Sequence, residues 1–264
     1  MERDFGYLKT NKKILFIIQA RVGSSRLPNK VLLSGYNKSM IEHQIERILF
    51  SKYSKNLVLA TTTNKKDLVF ERLFKKKKIS IFRGSKDNVL KRFYDCAKFF
   101  QADIIVRFTG DCPLIDYKLI DEAVTYFLKN NFDYINNIDT KFIPDGLHVE
   151  IFNFKSLKLA FKKAKTNFDR EHVTPYILVN EDLFKIKKIR PNRKYTIKNL
   201  RLTLDYIQDY FLINQIYNRL YKKNKKFSIV DIINLIKKNP NYLNFNKQFI
   251  NLQNSKFKKI RKFI

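Results

Sequence analysis

Three cations fall within one short segment, Gln19-Ala-Arg-Val-Gly-Ser-Ser-Arg-Leu-Pro-Asn-Lys30: they are Arg21, Arg26 and Lys30. Such a set suits a polyanion such as a triphosphate, because guanidinium forks hold phosphate oxygens in pairs while lysine acts as a point charge. Gly23 permits close approach of the backbone, and Ser24 and Ser25 add hydroxyls beside main-chain amide donors. The Gly-Lys-Ser/Thr ending of a Walker A loop is absent, as are the two further glycines of a dinucleotide-binding turn. Two aspartates are candidates for a hard cation. Asp111 follows the apolar run Ile104–Phe108 and a Thr-Gly turn, where a carboxylate either holds Mg2+ against phosphate oxygens or caps the next turn. Asp205 closes the apolar run Leu200–Leu204 just ahead of a helical pattern, a place that also suits an N-cap. No Ser-His-Asp or Cys-His arrangement is evident, and a phosphoryl-type transfer needs no protein nucleophile. The two cysteines, Cys96 and Cys112, have no metal-ligand spacing and are expected as free thiols of a reducing compartment.

Positioning these groups requires strands whose ends meet at one edge. The continuous apolar run Ile14–Ile18 predicts a strand buried on both faces, with the cationic loop leaving its C-terminal end. Helical spacing follows over Ser39–Phe50, a strand over Asn56–Thr62, a helix over Lys65–Phe74 and a short strand over Ile79–Phe82. Asp87 is placed to cap a helix over Asn88–Phe100, Asp103–Phe108 reads as a buried strand, and Asp116 caps a helix over Tyr117–Asn130. With Phe132–Ile135 as a strand, strand and helix alternate for about 135 residues, the pattern of a doubly wound, mostly parallel sheet. Beyond Pro144 we expect strands at His148–Phe152 and Leu183–Ile189. Helices are expected over Lys155–Lys163, Arg170–Val179, Tyr206–Leu220 and Ser228–Lys238, with a polar, basic tail after Pro240 as a surface element or flexible end.

Composition bounds the partners. Of 264 residues, 54 are basic and 24 acidic, a net charge of +30. That charge points to a polyanion, but the lysines are dispersed and accompanied by abundant Asn, Ile, Phe and Tyr, as AT-rich coding would produce. Only Lys75–Lys78, read as the solvated end of a helix, and Lys256–Lys262 concentrate it, so a nucleic-acid partner is disfavoured. No run of 18 apolar residues suggests a membrane helix, and Met1–Lys12 lacks an apolar leader core, which leads us to expect a cytoplasmic protein.

Taken as a string, Gln19–Lys30 resembles the signature of the CMP-sugar synthetase superfamily, and most of all the SpsF type of cytidylyltransferase. Further segments agree in order: Phe82-Arg-Gly-Ser-Lys-Asp-Asn-Val-Leu-Lys-Arg92, Arg107-Phe-Thr-Gly-Asp-Cys-Pro-Leu-Ile115, Pro144-Asp-Gly-Leu-His-Val-Glu-Ile151, Asp169-Arg-Glu-His-Val-Thr-Pro-Tyr176 and Leu202-Thr-Leu-Asp205. The resemblance implies a three-layer, Rossmann-like α/β nucleotidyltransferase of GT-A-like form, with a mixed, mostly parallel sheet flanked by helices. It implies one domain over about residues 13–240, with a nucleotide half to about 135 and an acceptor and oligomer half beyond, between tails at 1–12 and 241–264. The reaction implied is transfer of CMP from CTP to a nonulosonic or related acidic sugar, releasing pyrophosphate, with Mg2+ as cofactor and a homodimer as the assembly. By resemblance Ala20, Arg21, Gly23, Ser24, Ser25 and Lys30 bind the triphosphate, with Arg21, Lys30 and Asp111 catalytic. Arg83, Gly84, Ser85 and Asp87 lie near base and ribose, Asp111 also touches the nucleotide, and Asp205 joins it as the second metal ligand. Asp145, Glu150, Arg170, Glu171 and His172 line the acceptor site, although Glu171-His172 also suits a helix's first turn electrostatically. Arg107 belongs either to this acceptor set or to an ion pair with Asp103 or Asp116. The chain departs from the pattern at His148, where aspartate is more common, and at Ile207-Gln208, where Pro-Glu is usual. A sugar-phosphate or polyol-phosphate acceptor, a non-catalytic paralogue and a polyanion-binding protein are the competing functions.

Overall fold

The computed structural model describes residues 8–77, 79–139, 141–191 and 195–250. The expected tail up to residue 7, Lys78 and the basic end from residue 251 lie outside the described residues. Among the described residues nine strands form: β1 (Ile14–Gln19), β2 (Ser34–Gly35), β3 (Lys38–Ser39), β4 (Leu57–Thr62), β5 (Ser80–Gly84), β6 (Ile104–Thr109), β7 (Tyr134–Asn136), β8 (Glu150–Asn153) and β9 (Ile186–Lys188). The helices are α1 (Met40–Leu49), α2 (Leu68–Phe74), α3 (Val89–Phe99), α4 (Tyr117–Lys129), α5 (Phe154–Lys163), α6 (Asn167–His172), α7 (Pro175–Val179), α8 (Ile207–Leu220) and α9 (Ile229–Lys238). β2 and β3 make a small hairpin, and the other seven strands form one sheet in the order β5-β4-β1-β6-β8-β7-β9. Only β8 runs against its neighbours, pairing antiparallel with β6 and β7.

Alternation within the central strands explains the three layers. Phe16, Ile18, Leu59, Val106 and Phe108 point to one face, where they meet Ile41, Ile45 and Ile48 of α1, Phe70 and Phe74 of α2, and Ile120 and Val124 of α4. Leu15, Ile17, Val58, Ala60 and Ile105 point to the other, against Phe93 and Ala97 of α3, Leu157 and Ala160 of α5 and Ile177 of α7. A third cluster beyond the sheet joins Leu114, Ile143, Leu147, Leu202 and Leu204 to α8 and α9. The four parallel strands β5, β4, β1 and β6 end at one edge, and β8, running the other way, begins there.

Several expected elements change in detail. Asn88, not Asp87, caps α3, its Oδ1 accepting from Lys91 N at 2.8 Å. The helix expected over Arg170–Val179 is two short helices, broken where Val173 takes φ 73° and Pro175 starts a new turn. Leu183–Ile189 shortens to the three residues of β9. Leu200–Leu204 is extended but joins no strand: Leu202 N donates to Asp145 O and Leu204 N to Asp111 O, each at 2.8 Å. The segment therefore stitches two loops at the ligand edge, making a single isolated bridge between Asp145 and Arg201. After Pro240 the described chain forms two 3-10 turns rather than a loose end, and Asn246 is wholly buried.

Candidate active site

The cationic loop is held from below. Val22 N donates to Asp67 Oδ1 at 2.8 Å, and Asp67 also accepts from the Thr62 hydroxyl at the end of β4. Gly110 N donates to Gln19 O at 2.8 Å, and a Cβ on Gly110 would come within 2.9 Å of both that oxygen and the Ala20 Cβ. Glycine there is what lets the loops after β1 and β6 touch. Ala20 is buried beneath, while Arg21, Gly23 and Ser25 are exposed and Ser24 half-buried. A Cβ on Gly23 would meet no atom within 4 Å, so its face is open space.

Lys30 reaches from this loop to both predicted metal ligands. Its Nζ donates to Asp205 Oδ1 at 2.9 Å and to Asp111 Oδ2 at 3.2 Å, with only 12% of its side chain exposed. Burial pulls the Lys30 ammonium toward neutrality, but Asp111 and Asp205 hold its pKa above the usual lysine value. Burial likewise opposes the charge of Asp111, yet the Lys30 ammonium and the Thr109 hydroxyl keep that carboxyl well below its usual range. Asp205 is ringed by cations, since Arg26 Nη2 reaches Oδ1 at 2.6 Å and Arg201 Nη2 reaches Oδ2 at 3.1 Å. Arg26 also lies over the Tyr206 ring, 5.5 Å from its centroid. Two carboxylates thus converge on one cation at the edge where the parallel strands end. Hard oxygen donors from one or two carboxylates are what Mg2+ takes when phosphate and water complete its shell, so this donor set fits that ion.

Arg201 gathers three aspartates at this edge. Only 4% exposed, its side chain reaches Asp145 at 3.1 Å, Asp205 at 3.1 Å and Asp209 at 3.1 Å. Asp209, fully buried, also accepts from the amides of Asp205 and Tyr206 and from Asn246 Nδ2 at 2.8 Å. Burial raises the Asp145 pKa, with the charges of Asp111 and Asp205 adding to it against His148 and Arg201. His148, whose Nδ1 is 3.6 Å from Asp145, is pushed by burial toward the neutral form.

The remaining predicted residues divide. Arg107 pairs with Glu150, its cross-strand neighbour on β8, and with Gln19, rather than with Asp103 or Asp116. Those two are occupied elsewhere, Asp103 by Lys13 N and Asp116 by the amides of Lys118 and Ile229. Glu150 also accepts from Tyr134 and Thr174, and although burial opposes its charge, Arg107 leads in keeping its pKa low. Arg83 turns back to the carbonyls of Thr62, Thr63 and Asn64, so it stitches the loop after β4. Ser85 Oγ accepts from Asn88 N, and Asp87 is exposed. Arg170, Glu171 and His172 are exposed on α6, and Thr174 just beyond it donates to Glu150. Sequence reasoning passed over Arg201 and Asp67, each of which joins near neighbours in sequence to one distant partner, Asp145 at 56 residues and Val22 at 45. The signal available for Arg201 was its place one residue before the Leu-Thr-Leu-Asp segment.

A mostly parallel sheet with a phosphate-suited loop, paired carboxylates and a lysine at its C-terminal edge defines a nucleotidyltransferase. The profile of the cytidylyltransferase family matches residues 15–262. An uncharacterised protein of Methanocaldococcus jannaschii is 43% identical over 89% of this chain and 94% of its own length. The spore coat polysaccharide biosynthesis protein SpsF of Bacillus subtilis is 31% identical over 86% of this chain and 95% of its own. Among solved structures, a cytidylyltransferase from Leptospira borgpetersenii superposes with a TM-score of 0.83 at 36% identity, covering 88% of this chain and 97% of that one. The chain belongs to the cytidylyltransferase family. No helix among the described residues is long and apolar enough to cross a membrane.

Proposed function

We propose that the protein transfers CMP from CTP to a hydroxyl of a nonulosonic or related acidic sugar, releasing pyrophosphate, for surface polysaccharide synthesis. The convergence of Lys30, Asp111 and Asp205 beneath the Gln19–Lys30 loop carries this reading. Kinship with a protein named for spore coat polysaccharide biosynthesis supports the sugar acceptor. Asp111 and Asp205 would hold Mg2+, which when bound would neutralise charge on the phosphates of CTP. Arg21, Ser24, Ser25 and the backbone at Gly23 would bind the triphosphate from the solvent side. Lys30, already shared between two carboxylates, is placed to follow negative charge as it moves toward the leaving pyrophosphate. Asp145, fixed by Arg201, and the buried Arg107–Glu150 pair shape the acceptor side, where β8 enters the edge. The acceptor oxygen forms a new bond to the α-phosphorus as the bond to pyrophosphate breaks, and the hydroxyl proton leaves to solvent. The chain's contribution is positioning and charge compensation.

Pyrophosphate release from CTP and Mg2+ should be followed across a panel of nonulosonic and Kdo-like sugars, with sugar phosphates and polyol phosphates as the contrast. Turnover is expected only with a free sugar acid, and Asp111→Asn should reduce it by about 100-fold or more while the circular dichroism stays native. Near-normal turnover in Asp111→Asn, or turnover confined to phosphorylated acceptors, would overturn the assignment.

A further inference from the structure

Two 3-10 turns after α9, Pro240–Asn244 and Lys247–Phe249, bring the chain back to the edge that holds Asp205. Of residues 245–249 only Asn246 is buried, so an apolar core does not explain why this stretch lies where it does. Asn246 Nδ2 donates to Asp209 Oδ1 at 2.8 Å and to the Arg201 carbonyl at 3.1 Å. Its Oδ1 is buried without a hydrogen-bond partner among the described residues. An unmet amide oxygen is a cost that an apolar side chain of similar size avoids. Asparagine here is therefore explained by its two donated bonds, and both end on residues that hold Asp205. Asp209 accepts from the Asp205 amide at 2.9 Å and from Arg201 Nε at 3.1 Å, and Arg201 Nη2 donates to Asp205 Oδ2 at 3.1 Å. Asn246 thus closes a ring that fixes the Arg201 guanidinium against its own backbone. Phe249 makes a second contact, stacking on the Tyr206 ring at 3.9 Å between centroids and 5° between planes. Tyr206 follows Asp205 directly, and Arg26, bonded to Asp205 Oδ1, lies over the same ring.

One short stretch of chain therefore reaches both oxygens of the same carboxylate, Oδ2 through Asn246, Asp209 and Arg201, and Oδ1 through Phe249, Tyr206 and Arg26. Groups behind a metal ligand set its direction and so its affinity for the ion. We propose that Asn246 and Phe249 are positioning residues for Asp205, fixing the carboxylate in the orientation in which it takes Mg2+. This rests on the assignment of Asp205 as a metal ligand made above. Neither residue touches the nucleotide or the reacting atoms in this role; each acts through the side chains that bound Asp205.

Wild type, Asn246→Leu, Phe249→Leu and, as a control, Ile236→Val test this. Ile236 is buried in α9 away from these contacts, so its variant should lower the melting temperature and nothing else. Scanning calorimetry over a MgCl2 series gives the Mg2+ concentration at half the stabilisation. Pyrophosphate release from CTP with the sugar panel, well below the melting temperature, gives kcat and KM. Asn246→Leu should raise the Mg2+ midpoint and lower kcat, each about 10-fold, with the KM for CTP within about twofold of wild type. Phe249→Leu should move both in the same direction by less; its ring is half-buried, so it carries the test if Asn246→Leu does not fold. Wild-type midpoint and kcat in either variant, with only the melting temperature lowered as in Ile236→Val, would make the turn a fold anchor and overturn the proposal. So would a change confined to the KM for CTP. If wild type released no pyrophosphate but showed a Mg2+ midpoint that Asn246→Leu shifted, the positioning role would stand and the proposed reaction would not. If wild type turned over and Asn246→Leu matched it, the reverse would hold. If wild type neither responded to Mg2+ nor turned over, both would fall.

Discussion

Replacing Lys30 by methionine keeps its shape and removes the cation shared by Asp111 and Asp205. With Nζ 3.2 and 2.9 Å from the two carboxylates, each contact amounts to about 5–6 kcal/mol of attraction at an effective dielectric of about 20, before desolvation is subtracted. Removing one partner of a buried pair costs about 3–5 kcal/mol. Asp205 keeps Arg26 and Arg201, so the loss falls mainly on Asp111, and the lower end of about 3 kcal/mol is expected. For a chain of this size that corresponds to a melting temperature lower by roughly 6–12 °C. The same change leaves two carboxylates facing one another, which favours a divalent cation in place of the ammonium. Scanning calorimetry at matched ionic strength, with and without MgCl2, should therefore show Mg2+ restoring more stability to Lys30→Met than to wild type, while turnover falls. Equal melting temperatures without Mg2+, or equal Mg2+ shifts in the two proteins, would refute the bridging role.

The glycines should separate function from fold. Gly146→Ala places a Cβ 2.4 Å from the Leu202 carbonyl carbon at φ 100° and should cost about 2–4 kcal/mol in urea unfolding. Gly23→Ala meets open space and should leave stability within about 0.5 kcal/mol, while weakening CTP in a binding titration; unchanged affinity would remove Gly23 from the site. Acid should act oppositely on two aspartates. The lowered pKa of Asp111 means that its contribution is present above the unfolded value of about 4 and is lost as pH falls below it. The raised pKa of Asp145 means that its contribution is present below about 4 and is lost as pH rises through the folded value. At pH 7 Asp111→Asn should therefore be the less stable variant and Asp145→Asn close to wild type, with the gap narrowing near pH 3.5; a reversed order in urea midpoints would show the signs to be wrong.

Local chemistry made much of the molecule legible from the chain alone. The run Ile14–Ile18 read as a strand buried on both faces, and the regular alternation that follows indicated a mostly parallel sheet. Asp116 marked the start of α4, because a side-chain oxygen ahead of an apolar period caps a helix wherever the chain goes afterwards. The cations of the Gln19–Lys30 loop and the aspartates after the apolar runs were likewise visible as residue types at the ends of predicted elements. What the sequence could not show is which of these groups meet. Leu200–Leu204 has the composition of a strand, yet its amides are taken by Asp145 and Asp111, whose loops fold in from more than 50 residues away. Arg107 had nearby acids in sequence but pairs across the sheet with Glu150, because β8 runs antiparallel and brings that residue into register. Only the tertiary structure put Lys30 between Asp111 and Asp205. An ion pair is decided by where two backbones cross in space, and no periodicity along either one records that crossing.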